Sequence, residues 1–365
     1  MSTNRISSLD SFRFLAITFV VLYHYFSRWT LPESTINYYP YFNKYSNNIF
    51  QSGFIGVEFF FIISGFVIFF TLENSKSFNA FFLRRLIRLY PALIFCSVLT
   101  FVSIPFLDSD QKFAAFHNSI LDFIPTLTFS GPNIWNSLLK QDSIKFIDSV
   151  NWSLIIEVRF YFIAALIYFV IKGDFFLRWL QFTLTVNLIV IIFYLLYGES
   201  KILTKLVEFS TINYLPFFTL GIIFYYSYSN RFATAFAKYP VIIISAILSS
   251  LIICIISADQ RITYVSIIIL MILISLFFFM IFKPKLISIL DQPIISKIGV
   301  VSYSIYLLHQ NIGLILIHYF SSYIHKQYLF AIPLVVYVII TLIATVIYHY
   351  FEVPISRYLK NVIKH

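Results

Sequence analysis

Arg13 and His24 bracket ten residues without a charge in the stretch "RFLAITFVVLYH". Eleven helical steps of about 1.5 Å and 100° put His24 roughly 16 Å from Arg13 and only about 20° around the axis, so both lie on one face. An imidazole takes and returns a proton near neutral pH, and a guanidinium grips an anion through a rigid fork of donors. Both are expensive in hydrocarbon, and an ionisable residue inside a span marks a functional site by default. The plainer alternative is an interfacial arginine that snorkels and a core histidine satisfied by its neighbours.

Further stretches carry the same kind of group. "NWSLIIEVRFY" starts at the outer edge near Trp152 and places Glu157 at a depth close to that of His24. "GVEFFFIISGF" brings Glu58 and then Ser64 down through the same zone, and "SYSIYLLHQ" lifts His309 to mid-depth from the other side. Buried carboxylates without partners cost several kcal/mol, roughly, so these groups are expected to face one another or a water-filled cavity. A histidine beside a carboxylate is a general-base arrangement. Arg159 lies about 200° around its helix from Glu157 and cannot pair with it on one face; its role stays open. At the inner start of the third apolar run, "FFLRRLIRLYPA" clusters Arg84, Arg85 and Arg88 at helical spacing. Such a cluster suits phosphate oxygens, and equally suits orientation signals or anionic lipid.

The elements that must position these groups are membrane helices. Of 365 residues, 59% are hydrophobic and only 12% charged, with a mean hydropathy of +0.85. Soluble domains carry about 25% charged residues. A span needs roughly 17–25 apolar residues. Ten candidates occur, at about 12–29, 53–72, 86–107, 153–171, 177–197, 211–228, 240–257, 262–282, 299–320 and 329–351. The expected fold is therefore all-α: one polytopic domain over 1–365, with an even number of spans. If both termini are cytoplasmic, sixteen Lys and Arg fall on the inner side and nine on the outer, with Arg159 inside a span. That bias sets orientation and makes the net charge of +10 a matter of topology.

Other sequence features are quieter. The first run has no small-residue cleavage site and is expected to stay as a helix. Cys96 and Cys254 sit in apolar runs and imply neither a disulfide nor a metal site. With 44 Phe and only 9 Gly, packing through glycine is not expected to dominate. Two outer segments, about 30–52 and 108–152, are long enough to be lids or binding surfaces, or plain connectors. No internal repeat supports an inverted-repeat transporter.

Taken in order, these stretches resemble the acyltransferase-3 family of integral membrane acyltransferases, which modify cell-surface carbohydrates. Arg13 and His24 match its arginine, ten residues, histidine signature. "GVEFFFIISGFVI" is similar to its second-span motif, with Glu58 where Asp is usual. Arg85, Arg88 and Pro91 match its Arg-x-x-Arg element with proline. Trp152 and Glu157 fit its Trp-Ser-Leu-x-x-Glu element, and "SYSIYLLHQ" and "FEVPISRYLK" (Glu352, Pro354, Arg357) fit its closing motifs. Many relatives carry a second carboxylate and a glutamine after the span-4 glutamate; this chain has Val158 and Arg159. It stops at His365 and resembles the stand-alone branch.

The resemblance implies an O-acyltransferase of the inner (cytoplasmic) membrane. It implies acyl-CoA as co-substrate, acetyl-CoA being the commonest donor among relatives, with no bound cofactor and no metal. The acceptor would be a sugar hydroxyl of a glycan or its lipid-linked precursor: lipopolysaccharide O-antigen, capsule, exopolysaccharide or peptidoglycan. Arg13, Arg84, Arg85 and Arg88 would hold the donor's phosphates. His24 would act as general base, with Glu157 orienting or charging it. Glu58, Ser64, Trp152 and His309 would line the substrate cavity. The competing readings are a glycan exporter, which needs no acyl donor, and a non-catalytic membrane scaffold.

Overall fold

A computed structural model describes residues 6–28, 48–171, 173–198, 211–257 and 262–362, and no strand occurs among them. Most of the first outer segment, about 30–52, lies outside this set. So do Arg5, Lys44, Lys172, Lys201, Lys205, Arg261 and Lys364, which enter the charge count for orientation.

The chain opens with α1 (Ser7–Tyr23), which widens into a π-helical turn at His24–Arg28. Then come α2 (Ile55–Glu73) and α3 (Phe78–Leu107). Two short helices follow, α4 (Phe123–Thr128) and α5 (Pro132–Leu139), ahead of α6 (Trp152–Phe169) and α7 (Phe175–Tyr197). Next are α8 (Leu215–Tyr228), α9 (Phe232–Lys238), α10 (Pro240–Ile256) and α11 (Tyr264–Phe282). The last are α12 (Pro293–Val300), α13 (Ser302–Leu308), α14 (Asn311–Ser321), α15 (Ala331–Ile347) and α16 (Val353–Val362).

Among the described residues, seven helical stretches are long and apolar enough to cross a membrane: Ser7–Arg28, Ile49–Glu73, Phe78–Leu107, Ser149–Phe169, Phe175–Tyr197, Tyr264–Phe282 and Ala331–Val362. The α9–α10 pair, bent by 102°, makes eight if it is one span. Besides the bent pair that holds the run at 240–257, the ten expected from hydropathy differ at two places. The run at 211–228 is a short turn, Ile212–Tyr214, followed by a helix of only 14 residues. The run at 299–320 is split at His309–Gln310 into α13 and α14. Hydropathy counts apolar residues in a window and is blind to where the backbone stops being helical.

The contacts gather into two compact units. The first comprises Met1–Val57, Arg84–Ile155 and Ile289–His365. Here α1 is gripped by glycines: a Cβ on Gly56 would collide with the Ala16 carbonyl, and one on Gly299 in α12 with that of Asp10. Pro91 inside α3 has no N–H to offer the Ile87 carbonyl four residues back. The Ser356 hydroxyl of α16 donates to that carbonyl instead, at 3.0 Å.

The second unit comprises Glu58–Leu83 and Ile156–Ser288. Gly65 of α2 and Gly221 of α8 meet where those helices cross. Phe160 stacks on Phe218 at 3.9 Å between centroids, and Trp179 donates to Thr219 Oγ1 at 3.1 Å. Asn187 of α7 donates to Ser249 and Ser250 of α10 at 3.0 and 3.2 Å. Glycines are scarce, as composition says, yet they occupy the close crossings. A small count does not prevent close packing when each one is placed at a contact.

Candidate active site

In the first unit the structure brings His24 and His309 together. His24 opens the π-helical turn that ends α1, a backbone irregularity common at functional sites. Its Nδ1 lies 2.9 Å from the Val20 carbonyl oxygen and 3.2 Å from His309 Nε2. The rings meet edge to face, 4.8 Å apart at 74°. His309 is fully buried, and its Nδ1 lies 2.8 Å from the Tyr306 carbonyl oxygen. His24 as a whole residue is partly buried, whereas His309 has no exposed surface.

The helix break that carries His309 is pinned from residues 147–153. Asp148 Oδ2 accepts from the Asn311 backbone N–H at 3.1 Å, capping the start of α14. Asn311 Nδ2 donates to the Ile147 carbonyl at 3.1 Å, and Gln310 Nε2 to Ser149 Oγ at 2.6 Å. Tyr306 OH donates to the Val150 carbonyl at 3.1 Å and lies 2.8 Å from Ser153 Oγ. Burial pushes the Asp148 carboxyl up to about 7, against the lowering effect of the backbone N–H groups of Val150 and Asn311. The earlier part of the 108–151 segment has hydrogen bonds of its own. Asp108 accepts from Lys112 N, Phe113 N and His117 Nε2, and Lys145 Nζ donates to the carbonyls of Ala115 and His117 at 2.6 Å.

Arg13 is partly buried and paired with Asp10 at 2.7 Å, one turn before it on α1. Its charge is thus already met by a carboxylate that is itself buried. The arginines of α3 separate: Arg84 and Arg88 are exposed, whereas Arg85 is 5% exposed. The first two stand four residues apart on one face, and Arg85 turns to the interior. Glu352 accepts from Ser304 Oγ of α13 at 3.0 Å, which ties the closing motif to the short helix that ends at His309.

In the second unit Glu157 is the focus. Its Oε1 accepts from Ser64 Oγ at 2.6 Å and, in a very short bond, from the hydroxyl of Tyr161 one turn along α6. Glu157 and Ser64, expected to share a depth, are in contact. Glu58 is partly buried on α2; Trp152, which belongs to the first unit, is exposed at the start of α6. On the opposite face of α6 from Glu157, Arg159 lines an apolar cavity of about 780 Å³ with Phe82, Phe162, Phe182, Ile189 and Leu215.

Several residues of these clusters escape a reading by charge and hydropathy. Tyr161 follows Glu157 by four, and Asp10 precedes Arg13 by three, so both had a helical spacing that pointed to them. Asp148, Gln310 and Asn311 come together across more than 160 residues, and no local signal reveals that. Among the described residues no group of three or more His, Cys, Asp or Glu is arranged to hold a metal ion.

A family profile described as an acyltransferase domain, that of the acyltransferase-3 family, matches residues 6–350. No curated protein and no solved structure matches the chain.

Proposed function

The chain belongs to the acyltransferase-3 family, and from that premise we propose that this multi-pass membrane acyltransferase moves an acetyl group from cytoplasmic acyl-CoA to a sugar hydroxyl. The acceptor in this reading is a cell-envelope glycan or its lipid-linked precursor, such as O-antigen or capsule, and the membrane is the inner one. Both termini face the cytoplasm, as the Lys and Arg bias favours. His24 is the general base: it takes the proton of the acceptor hydroxyl while that oxygen attacks the thioester carbonyl carbon. As the tetrahedral intermediate collapses, the C–S bond breaks and the coenzyme leaves as a thiolate, which recovers the proton from His24. Arg84 and Arg88, exposed four residues apart, would hold the donor's phosphates. Arg13, paired with Asp10, then supports the helix more than it binds donor. Glu157 remains a proposed catalytic carboxylate, held by Ser64 and Tyr161.

The observation that carries this reading is an imidazole at the end of an apolar helix, fixed at Nδ1 by the Val20 carbonyl and a second histidine. Such a ring is held for proton transfer, and an oriented base contributes about 10²–10⁴-fold. The test is to supply labelled acetyl-CoA to the cytoplasmic face of membranes containing the protein and count base-labile label on the host's surface glycan. Transfer above that of membranes without the protein supports the reading. No transfer with any of several donors and acceptors would sink it and favour a glycan exporter.

A further inference from the structure

We infer that His309 is a positioning residue: together with the Val20 carbonyl it holds the Nδ1–H tautomer of His24, so that Nε2 of His24 is the nitrogen that takes the acceptor's proton. The inference rests on the acyltransferase reading given above, and adds which atom does the work and what holds it.

Hydrogen positions follow from partners that can only accept. A carbonyl oxygen has no proton to give, so the 2.8 Å contact with the Tyr306 carbonyl puts a hydrogen on His309 Nδ1. A neutral imidazole carries one N–H, which leaves His309 Nε2 as a lone-pair acceptor. That acceptor points at His24 Nδ1, 3.2 Å away. The other neighbour of the same nitrogen, the Val20 oxygen at 2.9 Å, is also an acceptor. Two acceptors converging on one ring nitrogen require the hydrogen there. His24 Nδ1 is therefore protonated and Nε2 bears the free pair. The opposite tautomer would set three lone pairs against one another and lose both bonds.

The arrangement assigns His309 the part that a carboxylate plays beside many catalytic histidines: holding tautomer and ring plane through the nitrogen remote from the reaction. An imidazole differs from a carboxylate in that it accepts without bringing a negative charge into a fully buried position. When His24 gains a proton at Nε2, its Nδ1–H becomes a stronger donor, and both acceptors are already in place. No reorganisation is needed at that moment. His309 can serve only while its own ring is fixed. The fixing comes from the Tyr306 carbonyl and from the pinned break after α13, where Asp148 caps α14 and Gln310 reaches Ser149. The outer segment thus acts on the chemistry through three steps: Asp148 to the helix break, the break to His309, and His309 to His24.

Two variants and two readouts test this. His309→Gln keeps an acceptor oxygen close to where Nε2 stands, whereas His309→Leu removes it at similar bulk. Transfer by His309→Leu is expected to fall in kcat by about 10²-fold or more, with KM for acetyl-CoA within about twofold of wild type, and His309→Gln to recover most of the loss. A residue that merely packs would be served as well by Leu as by Gln. Independently of any activity, ¹⁵N-histidine spectra of the folded wild type, assigned by difference from His24→Gln, should show His24 protonated at Nδ1 alone. The His309→Leu spectrum, with only the Val20 carbonyl left to accept from Nδ1, should show a measurable Nε2–H fraction, and its absence would assign the tautomer to Val20 alone. Wild-type kcat in His309→Leu, or an Nε2–H tautomer of His24 in the wild type, would overturn the assignment. If the wild type transfers no acyl group, the acyltransferase reading fails separately, and the comparison of the wild-type and His309→Leu spectra still decides whether His309 helps to hold the tautomer.

Discussion

Replacing Gly299 by alanine should damage the molecule far more than a single methyl group suggests. A Cβ at Gly299 would lie 1.7 Å from the carbonyl oxygen of Asp10 and 2.5 Å from its carbonyl carbon. Carbon atoms pack best at about 3.5–4.0 Å, so α12 and α1 must part locally by about 1 Å or more. A gap of that order forfeits a quarter to a half of each attractive contact along the pair. The obstacle is backbone, which cannot rotate away as a side chain would, so the cost belongs at the upper end of overpacking, about 3 kcal/mol. At roughly 2 °C per kcal/mol for a chain of this size, the melting temperature in detergent should drop by about 6 °C. Gly131→Ala is the control, because nothing lies within 4 Å of a Cβ there. Thermal unfolding followed by loss of the monodisperse peak measures both. If Gly299→Ala melts with the wild type, the close approach of α12 to Asp10 is wrong. The placement of the arginine and histidine carried by α1 would then need revision too.

Other outcomes follow from the same contacts. Asp148 has a folded-state pKa of about 7 against about 3.9 when unfolded. Between those values the native state holds a proton that the unfolded chain has lost, so stability from this group is greatest below about pH 4 and falls as pH rises to 7, by up to about 4 kcal/mol. Asp148→Asn, melted at pH 5 and 7.5, should flatten that slope; an unchanged slope would assign it to other groups. Glu73 receives a two-pronged bond from Arg231 at 2.6 and 3.1 Å, with the guanidinium lying over Tyr226 at 5.1 Å. The pair is partly exposed, so Glu73→Gln should cost only about 1 kcal/mol in a chemical melt, and a loss several times larger would show that the pair does more than tie α2 to the end of α8. The double change Arg84→Gln, Arg88→Gln should raise KM for acetyl-CoA by about 10–100-fold at nearly constant kcat, and steady-state kinetics showing the reverse pattern would remove these arginines from donor binding.

Much of the arrangement can be read from local spacing. Arg13 and His24 were expected on one helix, and α1 with its π-helical turn spans both. Glu157 and Ser64 were expected at one depth, and they touch. What could not be read is set by long-range packing. The partner of His24 is His309, 285 positions away. That meeting depends on a helix break that hydropathy passes over, because Leu308 and the residues after Asn311 are as apolar as those of an intact span. Arg85 shows the limit of helical spacing: it lies only three residues from Arg88, yet a difference of about 60° around the helix is enough to bury one and expose the other. The scarcity of glycine misled in a similar way, since Gly56, Gly65, Gly221 and Gly299 matter by position.

The most direct measurement compares wild type with His24→Ala, at matched amounts of folded protein, for transfer of labelled acetyl from acetyl-CoA to the surface glycan. If His24 is the base, transfer falls by about 10²–10⁴-fold while the melting temperature and donor binding stay near those of wild type. Transfer that persists at the wild-type rate would contradict a catalytic His24 and move the chemistry to the Glu157 cluster.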